Sequence, residues 1–300
     1  MSTAAWSGIW PIVVTPFTED GALDEEGLGR VARFCIDCGA GGLVGPANAS
    51  EFSTLSDDER RRWLEIVVQA ADGQVPVAAS VTSGHARPAV DLARFAQASG
   101  CAAVMAMPPH ILHPDAEGCY AYFRDLDAAL DIPIFVQNFN GPIGTPMSAA
   151  LLARMCRELE QVQYIKEETA PEPRQISATM AAVGADCKGI FGGQGCVYVI
   201  NEFRRGAVGN MPGCHHTDIM VDLWDLLEKG EEEEARALFH RVLPMINYER
   251  LYGVAIYKET LKRRGVIDSA FRRAPGGPLD EHDIAELEPL FASLQPLYRV

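Results

Sequence analysis

Lys166 closes the run Val162-Gln163-Tyr164-Ile165-Lys166, and its amine is the group in this chain best suited to covalent chemistry. An ammonium held in low dielectric gives up its proton more readily, and the neutral amine condenses with a carbonyl to form an imine. On an edge strand the same lysine would instead lay its stem along the surface and keep its charge in water. Other candidate groups end comparable runs: Gln137-Asn138, Gly192-Gly193, Gly209-Asn210-Met211-Pro212, and the small-residue segment Gly45-Pro46-Ala47-Asn48-Ala49-Ser50-Glu51. Together they offer one amine, several amides and hydroxyls, and few carboxylates. That set suits a small anionic carbonyl compound such as a 2-oxo acid, its carboxylate resting on the N–H groups of Ala49 and Ser50 and on the Asn48 side chain. Met211 and Gly192 would shape an apolar wall, or simply pack. Neither a divalent metal nor another cofactor is expected there, because a metal would require convergent carboxylates and histidines. The one set resembling metal ligands is Cys214-His215-His216, which keeps a metal-dependent lyase as a rival reading.

These residues need a scaffold that brings strand ends together. Short β-rich runs alternate with amphipathic helical patterns throughout, which predicts βα units around a parallel sheet. Strands are expected at Ile9–Val14, Gly42–Val44, Val75–Val81, Ala102–Met105, Ile134–Gln137, Val162–Lys166, Cys187–Phe191 and Ala207–Met211. Helices between them carry local start signals: Ser56 with Glu59 three residues on reads as a capping box, and Ser148 as an N-cap. No GxGxxG follows an early strand, so an open dinucleotide-binding sheet is not favoured. The predicted fold is α/β, a (β/α)8 TIM barrel over residues 1–230 with a C-terminal helical extension over 231–300, broken near Pro275-Gly276-Gly277-Pro278. In a barrel of this kind the working residues gather at the C-terminal strand ends, where Lys166 would stand.

Composition narrows the partners. The 300 residues carry 26 basic and 41 acidic side chains, a formal charge of −15, which argues against nucleic acid or an anionic membrane as partner. No apolar stretch approaches the roughly 18 residues that span a bilayer. Residues Met1 to Trp6 lack the pattern of a secretion signal, so a cytoplasmic protein with reduced cysteines is expected.

Four segments in order carry a resemblance: Thr15-Pro16-Phe17; Gly45 to Glu51 followed by Leu55-Ser56-Asp57-Asp58-Glu59-Arg60; Met107-Pro108-Pro109; and Tyr164-Ile165-Lys166-Glu167. They resemble the dihydrodipicolinate synthase/N-acetylneuraminate lyase family from Gly8 to at least Leu227. The resemblance implies a barrel with C-terminal helices, usually a homotetramer, and an imine between Lys166 and the keto carbon of pyruvate or a longer 2-oxo acid. Departures matter as much. Asn48-Ala49-Ser50-Glu51 stands where two hydroxyl residues usually precede glycine-glutamate. Gln137-Asn138 replaces tyrosine-asparagine, Pro142 an arginine, and His110-Ile111 paired tyrosines. An amide cannot ionise near neutral pH, so Gln137 can orient or polarise but not relay a proton.

These departures weaken 4-hydroxy-tetrahydrodipicolinate synthase as a reading. Tyr164, two residues before the lysine, is similar to the 2-keto-3-deoxy sugar-acid dehydratase branch. It stands about 6–7 Å deeper on the same face, either assisting or filling a layer. The expected chemistry is a dehydratase acting on an acid such as 2-keto-3-deoxyarabonate, or a pyruvate-type aldolase. Both share every step to the enamine. The acid for the leaving group is left open between a water held by Gln137 and Glu168 on the same strand face. His110 and His113 are candidate contacts to substrate hydroxyls, or loop and subunit-contact residues. From a different class, the barrel could be a non-catalytic keto-acid sensor.

Overall fold

The computed structural model describes residues 5–141 and 143–300. Eight strands alternate with helices: β1 Gly8–Ile9, α1 Glu25–Asp37, β2 Leu43–Gly45, α2 Asp57–Ala71, β3 Val77–Ser80, α3 Ala86–Ala98, β4 Ala103–Ala106, α4 Ala116–Asp127, β5 Ile134–Phe139, α5 Ala149–Glu158, β6 Val162–Glu168, α6 Glu172–Val183, β7 Gly189–Gly192, α7 Val199–Arg204, β8 Gly209–Asn210 and α8 Thr217–Lys229. Three more helices follow, α9 Glu232–Tyr252, α10 Val254–Arg263 and α11 Glu281–Leu294. The strands form one sheet in the order β1-β8-β7-β6-β5-β4-β3-β2. This is the (β/α)8 barrel with C-terminal helices. Among the described residues no helix is long and apolar enough to cross a membrane.

The described residues fall into two compact units that do not follow chain order: 5–8, 76–194 and 198–211 in one, and 9–75, 195–197 and 212–300 in the other. In the first, β3 to β8 pair in parallel, each with the next. The strongest ladder joins β5 to β6, where Phe135 pairs with Tyr164, Gln137 with Lys166 and Phe139 with Glu168. It carries β6 two residues beyond the expected end at Lys166. Apolar β-branched and aromatic residues fill these strands because both faces are covered.

In the second unit the expected first strand, Ile9–Val14, is interrupted. Pro11 has no N–H to give to a ladder, and only its carbonyl takes part, accepting from Val44 N at 3.1 Å. Past it, Ile12 bridges in parallel both Val44, within β2, and Gly213. The helix start signals hold. Ser56 accepts from Glu59 N while Glu59 accepts from Ser56 N, and the first turn of α2 carries Asp57, Asp58 and Glu59, which favour the positive end of the helix. In the first unit Ser148 caps α5 by accepting from Leu151 N.

Candidate active site

Strand alternation sorts the side chains of β5 to β7 into two faces. On one, Phe135, Tyr164 and Phe191 form an aromatic layer, with Phe135 and Tyr164 stacked 4.7 Å apart. Trp6 stacks on both, and its N–H donates to the Tyr164 hydroxyl at 3.1 Å. Tyr164 is therefore anchored in the packing beneath the lysine, and burial holds its phenol above the ordinary range.

Further along β5 and β6, on the same face, stand Gln137 and Lys166 in one layer and Glu168 in the next, between 2% and 6% exposed. Lys166 Nζ lies 3.2 Å from Glu168 Oε2. Gln137 Nε2 donates to the same oxygen at 2.7 Å, and Gln194 N donates to Oε1 at 3.1 Å. Register produces this cluster: Gln137 is the direct partner of Lys166, so its amide reaches the carboxylate two residue pairs on. Gly193 leaves room for it, since a Cβ there would stand 2.2 Å from Glu168 Oε1. An amine, a carboxylate and two hydrogen-bond donors fixing that carboxylate are a proton-transfer pair set beside a nucleophile. They offer one oxygen-bearing charge, too few to hold a divalent metal.

The opposite face carries two buried carboxylates that the spacing of the sequence did not single out. Glu167 accepts from Asn138 Nδ2 (3.1 and 3.0 Å), Thr169 N (3.0 Å), Thr169 Oγ1 and Thr179 Oγ1 (3.2 Å), which knits β5, β6 and α6 together. Glu202, on α7, accepts from Asn210 Nδ2 at 2.7 Å through Oε2, while its Oε1 has no hydrogen-bond partner. Gly192 belongs here: a Cβ on it would stand 2.5 Å from both the Glu202 carboxylate and the Asn210 amide. Its bareness thus admits a polar contact behind the sheet, which is the packing role, of the two that the sequence left open for it. Met211 is buried, with its N–H on Gly192 O at 3.1 Å.

Burial first, then the neighbouring charges of Glu172 and Glu168, push Glu202 up to about 8 from 4.5. Because the folded state holds this proton more tightly than the unfolded chain, the stabilisation is complete below about 4.5 and is lost as pH rises toward 8. In that window Glu202 alone lowers stability by about 1.4 kcal/mol per pH unit. Glu202→Gln should therefore show a shallower fall in Tm between pH 5 and 8 than the wild type, measured by thermal unfolding; parallel curves would contradict the assignment.

In the loop after β4, His113 Nδ1 contacts Thr145 Oγ1 at 2.8 Å and Thr145 Oγ1 donates to Pro109 O at 2.7 Å. His113 thus ties two loops, and His110 is half-buried beside the exposed Ile111 and Leu112. Pro142, which the resemblance set at an arginine position, lies outside the described residues.

The segment Ala47 to Glu51 belongs to the other unit. There Ser50 N donates to Ala47 O at 2.9 Å, its hydroxyl donates to Val13 O at 2.6 Å, and its carbonyl accepts from Thr15 Oγ1 at 2.7 Å. Ser50 is committed to holding the turn, while the Asn48 amide keeps a buried Oδ1 without a partner. Glu51 closes the turn at φ 56° and pairs with Lys258. Lys258, fully buried, also donates to Phe271 O at 2.8 Å, and burial pushes it down to about 8. Sequence reasoning passed over this second buried lysine; its signal is the charge inside the otherwise amphipathic α10. Cys214 turns to the backbone, its Sγ accepting from Val14 N at 3.4 Å.

With this geometry in place, comparison with known proteins is informative. A family model described as the dihydrodipicolinate synthetase family matches residues 5–293. The chain belongs to that family. It is 34% identical over 303 residues to L-2-keto-3-deoxyarabonate dehydratase of Azospirillum brasilense, covering 99% of this chain and 97% of that protein. It is 32% identical over 290 residues to 4-hydroxy-tetrahydrodipicolinate synthase of Chlorobium phaeobacteroides, covering 96% and 97%. Among solved structures, dihydrodipicolinate synthase from Rhodopseudomonas palustris superposes with a TM-score of 0.89 at 27% identity, over 96% of this chain and 97% of that one.

Proposed function

We propose that this protein is a lyase that forms an imine between Lys166 and the keto carbon of a 2-keto-3-deoxy sugar acid and then removes water across C3 and C4. The observation that carries the proposal is the buried pair of Lys166 Nζ and Glu168 at 3.2 Å, with Gln137 fixing the carboxylate. Support for the substrate class comes from the relative of Azospirillum brasilense, whose name is L-2-keto-3-deoxyarabonate dehydratase.

Glu168 takes the ammonium proton of Lys166, and the freed amine attacks C2. Loss of the C2 oxygen as water gives the protonated imine, an electron sink that acidifies C3. Glu168, having returned its first proton to the departing C2 oxygen, takes one from C3 to give the enamine, whose electron pair expels the C4 hydroxyl as water when Glu168 donates that proton. Hydrolysis of the resulting unsaturated imine and tautomerisation free the lysine and release a product one water poorer than the substrate. In this scheme Gln137 is a positioning residue: its amide aims the carboxylate and carries no proton.

The relative of Chlorobium phaeobacteroides favours a second reading, a synthase. The amide at position 137 weighs against it, because it supplies no ionisable hydroxyl. Product analysis separates the readings: incubation with 2-keto-3-deoxy acids yields a dehydrated semialdehyde for the dehydratase, pyruvate plus an aldehyde for an aldolase, and neither for the synthase. No turnover of any such acid would refute the proposal and leave the synthase or a binding protein. Ile111 and Leu112, 74% and 84% exposed, are apolar residues that a contact within the expected homotetramer would cover.

A further inference from the structure

His215, His216 and Glu249 bring three ligand atoms within 4.8 Å of one another, and all three residues are at most 4% exposed. His215 Nε2 lies 2.8 Å from Glu249 Oε1, and His216 Nε2 lies 3.5 Å from the same oxygen. We propose that these three side chains form a binding site for one first-row divalent cation, zinc first, that fastens the segment after β8 to α9. The site is separate from Lys166 chemistry and does not depend on the proposed lyase activity.

The donor set carries the inference. Two imidazoles and one carboxylate are a recognised zinc complement, with either a water or the second carboxylate oxygen completing a tetrahedral shell. Ligand softness selects the same ions, since imidazole suits zinc, copper, iron and nickel, whereas magnesium and calcium take oxygen donors. The residues around the three have the form of an outer layer. Tyr298 OH lies 3.2 Å from His216 Nδ1, which leaves Nε2 facing the carboxylate. The His215 ring stacks on Tyr257 at 4.4 Å and against His216 at 4.2 Å, so both imidazoles are held in place.

A second, independent observation points to a ligand. His216 Nε2, aimed at the carboxylate, is a buried nitrogen with no hydrogen-bond partner. Buried polar atoms left without partners are uncommon because each costs free energy that a bond would recover. The neighbouring charges do not meet the need: Arg264 is taken up by Asp218 at 2.6 Å and by His215 O at 2.7 Å, and among the described residues the basic side chains paired with Glu249 are the two imidazoles.

The test is a titration of the intact, chelator-treated protein with Co2+, followed by its visible absorption. The expected result is a band that saturates at one equivalent, is displaced by Zn2+, and is lost in the His215→Gln/His216→Gln protein. Tyr298→Phe should weaken Co2+ binding by about 10–100-fold, while Cys214→Ser should leave it unchanged, since that sulfur faces Val14 N. Wild-type protein with no saturable band would overturn the proposal without recourse to any variant. One-equivalent binding that survives loss of both imidazoles would overturn it equally, leaving the three residues as a plain hydrogen-bonded cluster.

Discussion

Lys166→Arg protein will fold and keep a cation against Glu168, yet its turnover of 2-keto-3-deoxy acids will fall by about 10⁴-fold or more, in line with removal of a covalent nucleophile. The guanidinium preserves the charge and can donate to the same carboxylate, but it cannot deprotonate and so cannot attack a ketone. Arginine is the informative substitution here. Lys166→Ala would leave Glu168, 6% exposed, without its cation. Breaking a buried pair in this way costs about 3–5 kcal/mol unless the remaining group changes its protonation. Loss of activity in the alanine protein would therefore mix chemistry with stability. Steady-state kinetics on the arginine protein, with thermal unfolding to confirm the fold, separates the two. Turnover within tenfold of the wild type would remove the lysine from the mechanism.

Glu168→Gln is expected to divide the reaction at the enamine. The single amide oxygen can still accept from Gln137 Nε2, at the cost of the bond from Gln194 N, so the side chain should stay in place. It cannot receive the lysine proton or return one to the departing hydroxyl. Loss of general acid–base catalysis of this kind lowers kcat by about 10²–10⁴-fold. Pyruvate, which has no C4 hydroxyl to expel, should still form an adduct, only more slowly. A glutamine protein that dehydrates at the wild-type rate would assign the acid elsewhere, with a water on Gln137 next in line. Gln137→Ala should show a smaller loss, confined to kcat, because it frees the carboxylate without removing it.

How far the sequence reveals this site follows from the range of the interactions. Lys166 is legible because a charged residue ending an apolar run is anomalous locally, and the caps at Ser56 and Ser148 are legible because they involve residues three apart. The βα alternation is likewise a short-range pattern. Glu168 is half legible: alternation places it on the lysine's face, but its bond to Gln137 depends on the register of β5 against β6, which spans 31 residues. Glu202 is hidden for a different reason. Its helix, Val199–Arg204, is one and a half turns long and ends beside two arginines, so a charge there reads as solvated surface. Only the fold shows that it is buried against Asn210. The early strand reads as unbroken in the sequence because its apolar pattern runs through Pro11, whereas in the fold only isolated bridges at Ile12 continue the pairing beyond that residue. Glu249 pairs with His215 across 34 residues, so the sequence points to Cys214 beside the imidazoles when the fold supplies a carboxylate.

The central claim is that one particular amine bonds to the substrate, and this chain contains a real competitor. Lys258 is more buried than Lys166 and is pushed down to about 8 by that burial, yet it is fastened to Glu51 and Phe271 O. Reduction with borohydride in the presence of pyruvate, followed by digestion and peptide mass spectrometry, distinguishes them. The account predicts one reduced adduct per chain on the peptide carrying Lys166, retained in Glu168→Gln and missing in Lys166→Arg. An unmodified Lys166 peptide, with or without an adduct on Lys258, would contradict it.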